Sequence, residues 1–194
     1  MSDDALAAQK LALRDQLLTR RRRTSLLEVG EAAQALADHL LATIELQRAA
    51  TIAAYVSMGT EPGTGPLLDA WFEAGRRTLL PVLRPDNDLE WAVYRGGDSL
   101  VAAHRGLLEP AGETLGLDAI AQADVVITPG LAVDRTGMRL GRGGGSYDRA
   151  LGRVPVGTPV LTLLYEHELL DEVPAGEHDR RVSGVVTPAG VTWF

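Results

Sequence analysis

The chain has 194 residues, a size that one domain ordinarily fills, and 45% of them are apolar, enough for a sizeable and mostly aliphatic core. It contains no cysteine, which excludes disulfides, thiolate metal sites and cysteine nucleophiles. A net charge of −7 weighs against non-specific nucleic-acid binding, which works by neutralising phosphates.

The opening MSDDAL is acidic where a signal peptide needs a basic region, and no apolar run approaches the roughly 20 residues that span a bilayer. A soluble cytoplasmic chain without membrane contact is expected. Two helices are predicted first, from Ala5 to Arg23 with Leu6, Leu13 and Leu17 at helical spacing, and from Leu26 to Gln47 with Thr24 or Ser25 as cap. The run Arg20-Arg21-Arg22-Arg23 reads as the solvated basic end of the first helix, where positive charge suits the helix dipole. An anionic patch reader is the alternative.

The texture then changes to short apolar stretches between helices. Thr51–Ser57 reads as a buried strand, followed by a Gly/Pro-rich turn through Gly65 and a helix from Leu67 to Ala74. Further strands are expected at Thr78–Val82, Leu89–Tyr94, Val125–Thr128, Val160–Leu164 and Gly184–Thr187. This alternation predicts an α/β protein with a mainly parallel central sheet covered by helices, two N-terminal helices packing on it, and residues 1–194 forming one domain.

The most informative segment is PGLAVDRTGMRLGRGGGSYDRAL, which follows the strand at Val125–Thr128 and leads into a predicted helix at Tyr147–Leu151. Glycines at 141, 143, 144 and 145 let the backbone take positive φ and approach a ligand closely. Successive N–H groups in such a turn form an anion-binding nest, and the helix adds its positive end. Arg139 and Arg142 supply planar donors for phosphate oxygens, and Asp148 places a hard carboxylate beside them. The spacing is neither the GxGxxG fingerprint nor a P-loop. A glycine-rich surface loop with solvated arginines is the competing reading.

This run closely resembles the signature of the 5-formyltetrahydrofolate cyclo-ligases, also called 5,10-methenyltetrahydrofolate synthetases. The resemblance extends to Lys10-Leu11-Ala12-Leu13-Arg14, to Tyr55-Val56-Ser57 through Glu61, to Glu109-Pro110, and to Val173-Pro174 through His178-Asp179. What it implies is a three-layer, NagB/RpiA/CoA-transferase-like fold and ATP-driven cyclisation of 5-formyltetrahydrofolate to 5,10-methenyltetrahydrofolate. ADP and phosphate would be released through a phosphorylated formyl intermediate. By the same resemblance, ATP would be bound by Lys10, Arg14, Arg139, Leu140, Gly141, Arg142, Gly143, Gly144, Gly145, Ser146 and Tyr147. The folate would meet Met58, Glu61 and Tyr147, and Mg²⁺ would meet Asp148 and Asp179. Arg142 and Tyr147 would take catalytic roles.

Three positions depart from the family pattern: Ser146 stands where an aromatic residue is common, Gly144 where some members have lysine, and Ser183 where an acid is frequent. They keep a second function open, a folate- or nucleotide-binding paralogue without turnover. A sugar-phosphate isomerase is a third, although no acid/base pair for it lies beside the loop. His39, His104, His167 and His178 show no metal-ligand spacing and are expected to be structural or solvent-facing. Asp134 precedes a turn it could cap as readily as it could serve in chemistry. The expected partners are ATP and 5-formyltetrahydrofolate, with no nucleic acid, and the chain is expected to be a monomer or weak homo-oligomer.

Overall fold

A computed structural model describes residues 3–176 and 179–194. In chain order its helices and strands are α1 (Asp3–Arg21), α2 (Leu26–Ala42), α3 (Ile44–Arg48), β1 (Thr51–Ala53), α4 (Gly65–Glu73), β2 (Arg77–Leu83) and β3 (Leu89–Val93). There follow β4 (Leu100–Ala102), β5 (Leu108–Pro110), β6 (Val125–Pro129), β7 (Ala132–Asp134), β8 (Arg139–Leu140) and α5 (Ser146–Leu151). The last strands are β9 (Val160–Leu163), β10 (Leu169–Leu170), β11 (Gly184–Thr187) and β12 (Gly190–Trp193).

The seven-stranded sheet has the order β12-β11-β9-β6-β1-β2-β3. Its interior pairs are parallel, and only the edge strands β3 and β12 run antiparallel. The mixed α/β architecture with a mostly parallel sheet agrees with the sequence reading. Alternating side chains feed two apolar clusters. Ile52, Leu80, Ile127, Leu161 and Val186 pack with Leu36, Leu40, Leu67 and Trp71 of the helices α2 and α4. Ala53, Leu79, Val126, Val160 and Val185 pack with Trp91, Ile120 and Leu151. A third, smaller cluster joins Leu17 of α1 to Leu131, Ala132, Leu140 and Val173, around the three-stranded sheet β10-β7-β8.

Several boundaries differ from expectation. The helix expected over Leu26–Gln47 breaks at Thr43, which is extended (φ −71°, ψ 144°); its hydroxyl donates to Leu40 O and accepts from Leu46 N, ending α2 and capping α3. Ser25 rather than Thr24 caps α2, in a capping box with Glu28. The strand expected over Thr51–Ser57 keeps its ladder only to Ala53, and Ser57 is instead tied to Thr64 in the following turn. Helix α4 starts at Gly65, two residues early, with a proline in its first turn. Helix α5 begins at Ser146, one residue early. The β4–β5 hairpin, the small sheet and the edge strand β12 were too short or too exposed to show in hydrophobic periodicity.

The arginine run is a clear correction. Arg21 is not solvated: it is 2% exposed, and its guanidinium grips Glu168, itself fully buried, through Nε–Oε1 at 2.7 Å and Nη2–Oε2 at 2.8 Å. Three arginines in that run remain accessible, so charge alone gave no hint of the fourth.

Candidate active site

Strand β1 lies between β2 and β6; from β1 the sheet grows outward through β2 and β3, and from β6 it grows the opposite way through β9 and β11. In open α/β sheets, ligands bind outside the carboxyl ends of strands at such a switch point. A cleft of about 970 Å³ lies there. Tyr55, Val56, Met58 and Glu61 line it from beyond β1, Pro129 and Gly130 from the end of β6, and Arg139 through Asp148 from β8 and α5. Lys10 and Arg14 reach it from α1, and Asp179 from the segment before β11. Every residue expected to bind nucleotide, folate or metal lies on this one cleft.

The glycine turn is shaped by two residues with left-handed backbones, Gly143 (φ +97°) and Gly145 (φ +70°), the second capping α5. A Cβ on Gly143 would come within 3.3 Å of the Arg14 guanidinium carbon, so the absent side chain also makes room for the arginine. Arg14 Nε donates to Gly141 O at 2.9 Å, which ties α1 to the turn. Lys10 Nζ lies 2.5 Å from Asp179 Oδ2, which also accepts from Gly176 N. In the same turn the Arg142 guanidinium, 58% exposed, pairs with the buried Glu61 at 2.8 Å. Glu61 is fixed in turn by accepting from Met58 N.

Arg139 is buried under the turn, donating through Nη1 to Pro129 O at 3.1 Å and through Nη2 to Asp148 at 2.9 Å. Its Nε and the nearby Tyr147 hydroxyl are buried without a hydrogen-bond partner. The guanidinium carbon lies 5.7 Å from the Tyr147 ring centre. Burial raises the Tyr147 pKa above its ordinary value and outweighs the opposite pull of Arg139, so the phenol stays protonated at neutral pH. A buried cation and a neutral phenol, each with donor capacity to spare beside a glycine turn, have the chemistry that suits oxyanions.

Among the described residues no group of three histidine or carboxylate side chains converges as a complete metal cage. The donors do fit Mg²⁺ in its usual nucleotide-linked form, which needs one or two carboxylates and takes its other ligands from phosphate and water. Asp148 and Asp179 are such hard donors on the cleft wall, and each uses only one oxygen in the bonds described above.

Asp134, left open from sequence, caps its own turn: Oδ1 accepts from Thr136 N, Thr136 Oγ1 and Met138 N, and Oδ2 from Val173 N. His167 stacks on Tyr165 away from the cleft, and His39 meets Pro188 O. His178 lies outside the described residues. Sequence reasoning missed Glu109 as a wall residue; it accepts from Leu83 N and holds the β4–β5 hairpin against β2. It also missed the rim formed by Arg105, Asn87 and Arg149. Arg105 and Asn87 both have positive φ and are hydrogen-bonded to each other, and Arg149 donates to Asn87 O and Gly144 O. The turn sequence Pro85-Asp86-Asn87-Asp88 was the available signal.

The fold and the cleft define an α/β protein with a cation-lined, glycine-rich cleft at the switch point of its sheet. The model of the 5-formyltetrahydrofolate cyclo-ligase family matches residues 6–188. A 5-formyltetrahydrofolate cyclo-ligase from Mycolicibacterium smegmatis is 48% identical over 143 residues, covering 71% of this chain and 73% of that one. The Escherichia coli protein of the same name is 33% identical over 175 residues, covering 89% and 96%. The solved structure of Aquifex aeolicus 5,10-methenyltetrahydrofolate synthetase superposes with a TM-score of 0.82 at 25% identity, over 95% of this chain and 92% of that one. The chain belongs to the 5-formyltetrahydrofolate cyclo-ligase family.

Proposed function

We propose that this cleft catalyses the ATP-dependent cyclisation of 5-formyltetrahydrofolate to 5,10-methenyltetrahydrofolate, with ADP and phosphate as the other products. The observation that carries this reading is a meeting of three parts in one cavity: the glycine turn at 141–145, the cations Lys10 and Arg14 on α1, and Glu61 beyond β1.

The chemistry sets the demands. A formamide oxygen is a poor leaving group, so it first attacks the terminal phosphorus of ATP and ADP departs. The 10-nitrogen then adds to the activated carbon, closes the ring, loses its proton and expels phosphate. There is little for the protein to do covalently; it must align the formyl oxygen with the phosphate and stabilise the transferring charge. In this reading the turn's backbone, Arg139 and Arg142 hold the phosphates, and Lys10 and Arg14 hold the rest of the nucleotide. Tyr147 donates from a phenol that burial keeps protonated. Met58 and Glu61 face the folate. Asp148 and Asp179 hold Mg²⁺, which supplies charge neutralisation on the phosphate oxygens. Ser146 faces the cleft, so the missing aromatic changes wall chemistry and leaves the α5 start intact.

The same reading takes the fold as three-layer and NagB/RpiA/CoA-transferase-like, with residues 1–194 as one domain. It takes the protein as cytoplasmic, and as monomeric or weakly self-associating without nucleic-acid or membrane partners. No helix among the described residues is long and apolar enough to cross a membrane.

The test is absorbance in the methenyl band with 5-formyltetrahydrofolate and Mg²⁺, with ATP added or omitted. Growth only with ATP, matched mole for mole by ADP, is expected. Tight folate binding with no ATP consumption would replace this reading with the non-catalytic paralogue.

A further inference from the structure

Helix α1 carries Lys10 and Arg14 into the cleft, yet only two of its residues are buried, Leu17 and Arg21. Lys10, Arg14, Leu17 and Arg21 are spaced by four, three and four residues, so they share one helix face. That face meets the rest of the molecule at four heights. Lys10 meets Asp179, Arg14 meets Gly141 O, Leu17 joins the small apolar cluster, and Arg21 meets Glu168 and Gly130 O. The upper two contacts belong to the nucleotide site proposed above. The lower two, with Leu13 and Leu18 packed on the same apolar cluster, hold the helix when a ligand engages the others.

Arg21 is also placed to set a position, beyond adding attachment. Its Nη2 donates to Gly130 O at 2.6 Å, the residue that follows β6 and lines the cleft. Its partner Glu168 is locked from behind by accepting from Tyr165 N at 2.9 Å. The Tyr165 hydroxyl reaches across to Thr60 O, next to Glu61. A guanidinium fork gripping a carboxylate through two bonds fixes direction as well as distance, which a single contact does not. Arg14 lies seven residues from this fork, roughly 10 Å along the helix at about 1.5 Å per residue. A small tilt at the fork is therefore carried to Arg14 and Lys10.

Resting on the proposed activity, we infer that the buried Arg21–Glu168 pair is the positioning element of the nucleotide site, acting through the pitch of α1. The two residues touch no reacting atom. Their task is to hold Lys10 and Arg14 over the glycine turn while Asp179 and Gly141 O give up part of their bonding to an incoming nucleotide.

The variant to make is Arg21→Met/Glu168→Gln, which leaves no unpaired buried charge and keeps an acceptor for Tyr165 N. Arg21→Lys provides a second variant that retains the charge and loses the fork. Michaelis constants for ATP and for 5-formyltetrahydrofolate are measured separately, and ATP binding is titrated directly without folate. The expected result is a rise of roughly tenfold in the ATP constant and in its dissociation constant, with the folate constant and kcat changed by less than about twofold. Arg21→Lys should recover only part of that loss. In an Arg14→Ala background the double substitution should add less than it costs alone, because part of its effect is carried through Arg14. Equal rises in both Michaelis constants, full additivity with Arg14→Ala, or unaltered ATP binding in a folded variant would each reduce the pair to a fold-stabilising contact. If the unsubstituted protein shows no turnover, the proposed activity fails, and the ATP titration alone still decides the role of the pair.

Discussion

Two arginines are buried among the described residues, and they are finished differently. Arg21 is enclosed with a fully buried glutamate, its Nε and Nη2 both spent on that partner and on Gly130 O. Burial by itself pulls its pKa down, but bonding to Glu168 outweighs this and the guanidinium stays charged. Arg139 is as deeply buried, yet its partner Asp148 is 26% exposed at the cleft, its Nε has no partner, and the Tyr147 hydroxyl beside it has none either. A closed pair spends its polarity on holding elements together. The open pair keeps unpaired polarity behind the wall of the cleft proposed above to bind nucleotide.

The contrast breaks first at Arg139. Arg139→Ala should lower ATP-dependent turnover by roughly a thousandfold, since it removes a preorganised donor from the phosphate site. It should also destabilise the fold by about 3 kcal/mol, because Asp148 and Pro129 O lose their partner. Arg139→Lys should restore most of the stability and little of the turnover, its single ammonium replacing a fork. Turnover above about a tenth of normal in Arg139→Ala would place the phosphate elsewhere.

Arg142 should show the reverse balance. Its guanidinium is mostly exposed, so losing its pair with Glu61 should cost no more than about 1 kcal/mol after solvent screening. Arg142→Ala should nevertheless cut kcat/KM for ATP by roughly a hundredfold, with the folate constant less affected. Thermal melts and steady-state kinetics on the same sample check both halves, and unchanged ATP use would remove Arg142 from the site. Asp148→Asn sharpens the same comparison from the carboxylate side. It keeps the shape beside Arg139 and loses a charge, so the Mg²⁺ concentration for half-maximal rate should rise several-fold. A wild-type Mg²⁺ titration would take Asp148 out of the metal site.

What the sequence disclosed follows the same division. Buried parallel strands such as Val125–Pro129 are continuous apolar runs, and their places along the chain came through without the structure. The glycine turn came through because positive φ selects glycine, and because the arginines and Asp148 are adjacent to it in sequence. Lys10, Glu61 and Asp179 were reached only through the resemblance, since nothing local marks a lysine in a helix or an acid in a turn as facing a cleft formed by distant parts of the chain. Arg21 and Glu168 were invisible for a related reason. They are separated by 147 residues, and each sits in a charged run whose other members are accessible. Short pieces such as β7, β8 and β10 carry too few residues to show a period, although they hold the helix and the turn together.

Asp134 gives the smallest and most specific test, because it is a buried charge with no cation among its hydrogen-bond partners. Burial tends to raise its pKa, but the bonds from Thr136, Met138 and Val173 outweigh burial and leave it below the ordinary carboxylate value. The unfolded chain therefore takes up the proton more readily than the folded one. The stability contributed by the carboxylate is full above the unfolded value of about 3.9 and is lost as pH falls through the lower folded value. Asp134→Asn keeps an oxygen for some of these donors and cannot ionise, so it should cost about 1 kcal/mol at pH 7. That deficit should shrink as both proteins are unfolded at successively lower pH below about 4. Turnover at neutral pH should stay near normal, because this carboxylate is fully occupied in shaping a turn and faces no ligand. A deficit independent of pH would mean that the missing bonding geometry, and not the charge, is what the turn requires. A large loss of turnover with little loss of stability would move Asp134 from the closed groups of the scaffold to the open groups of the site.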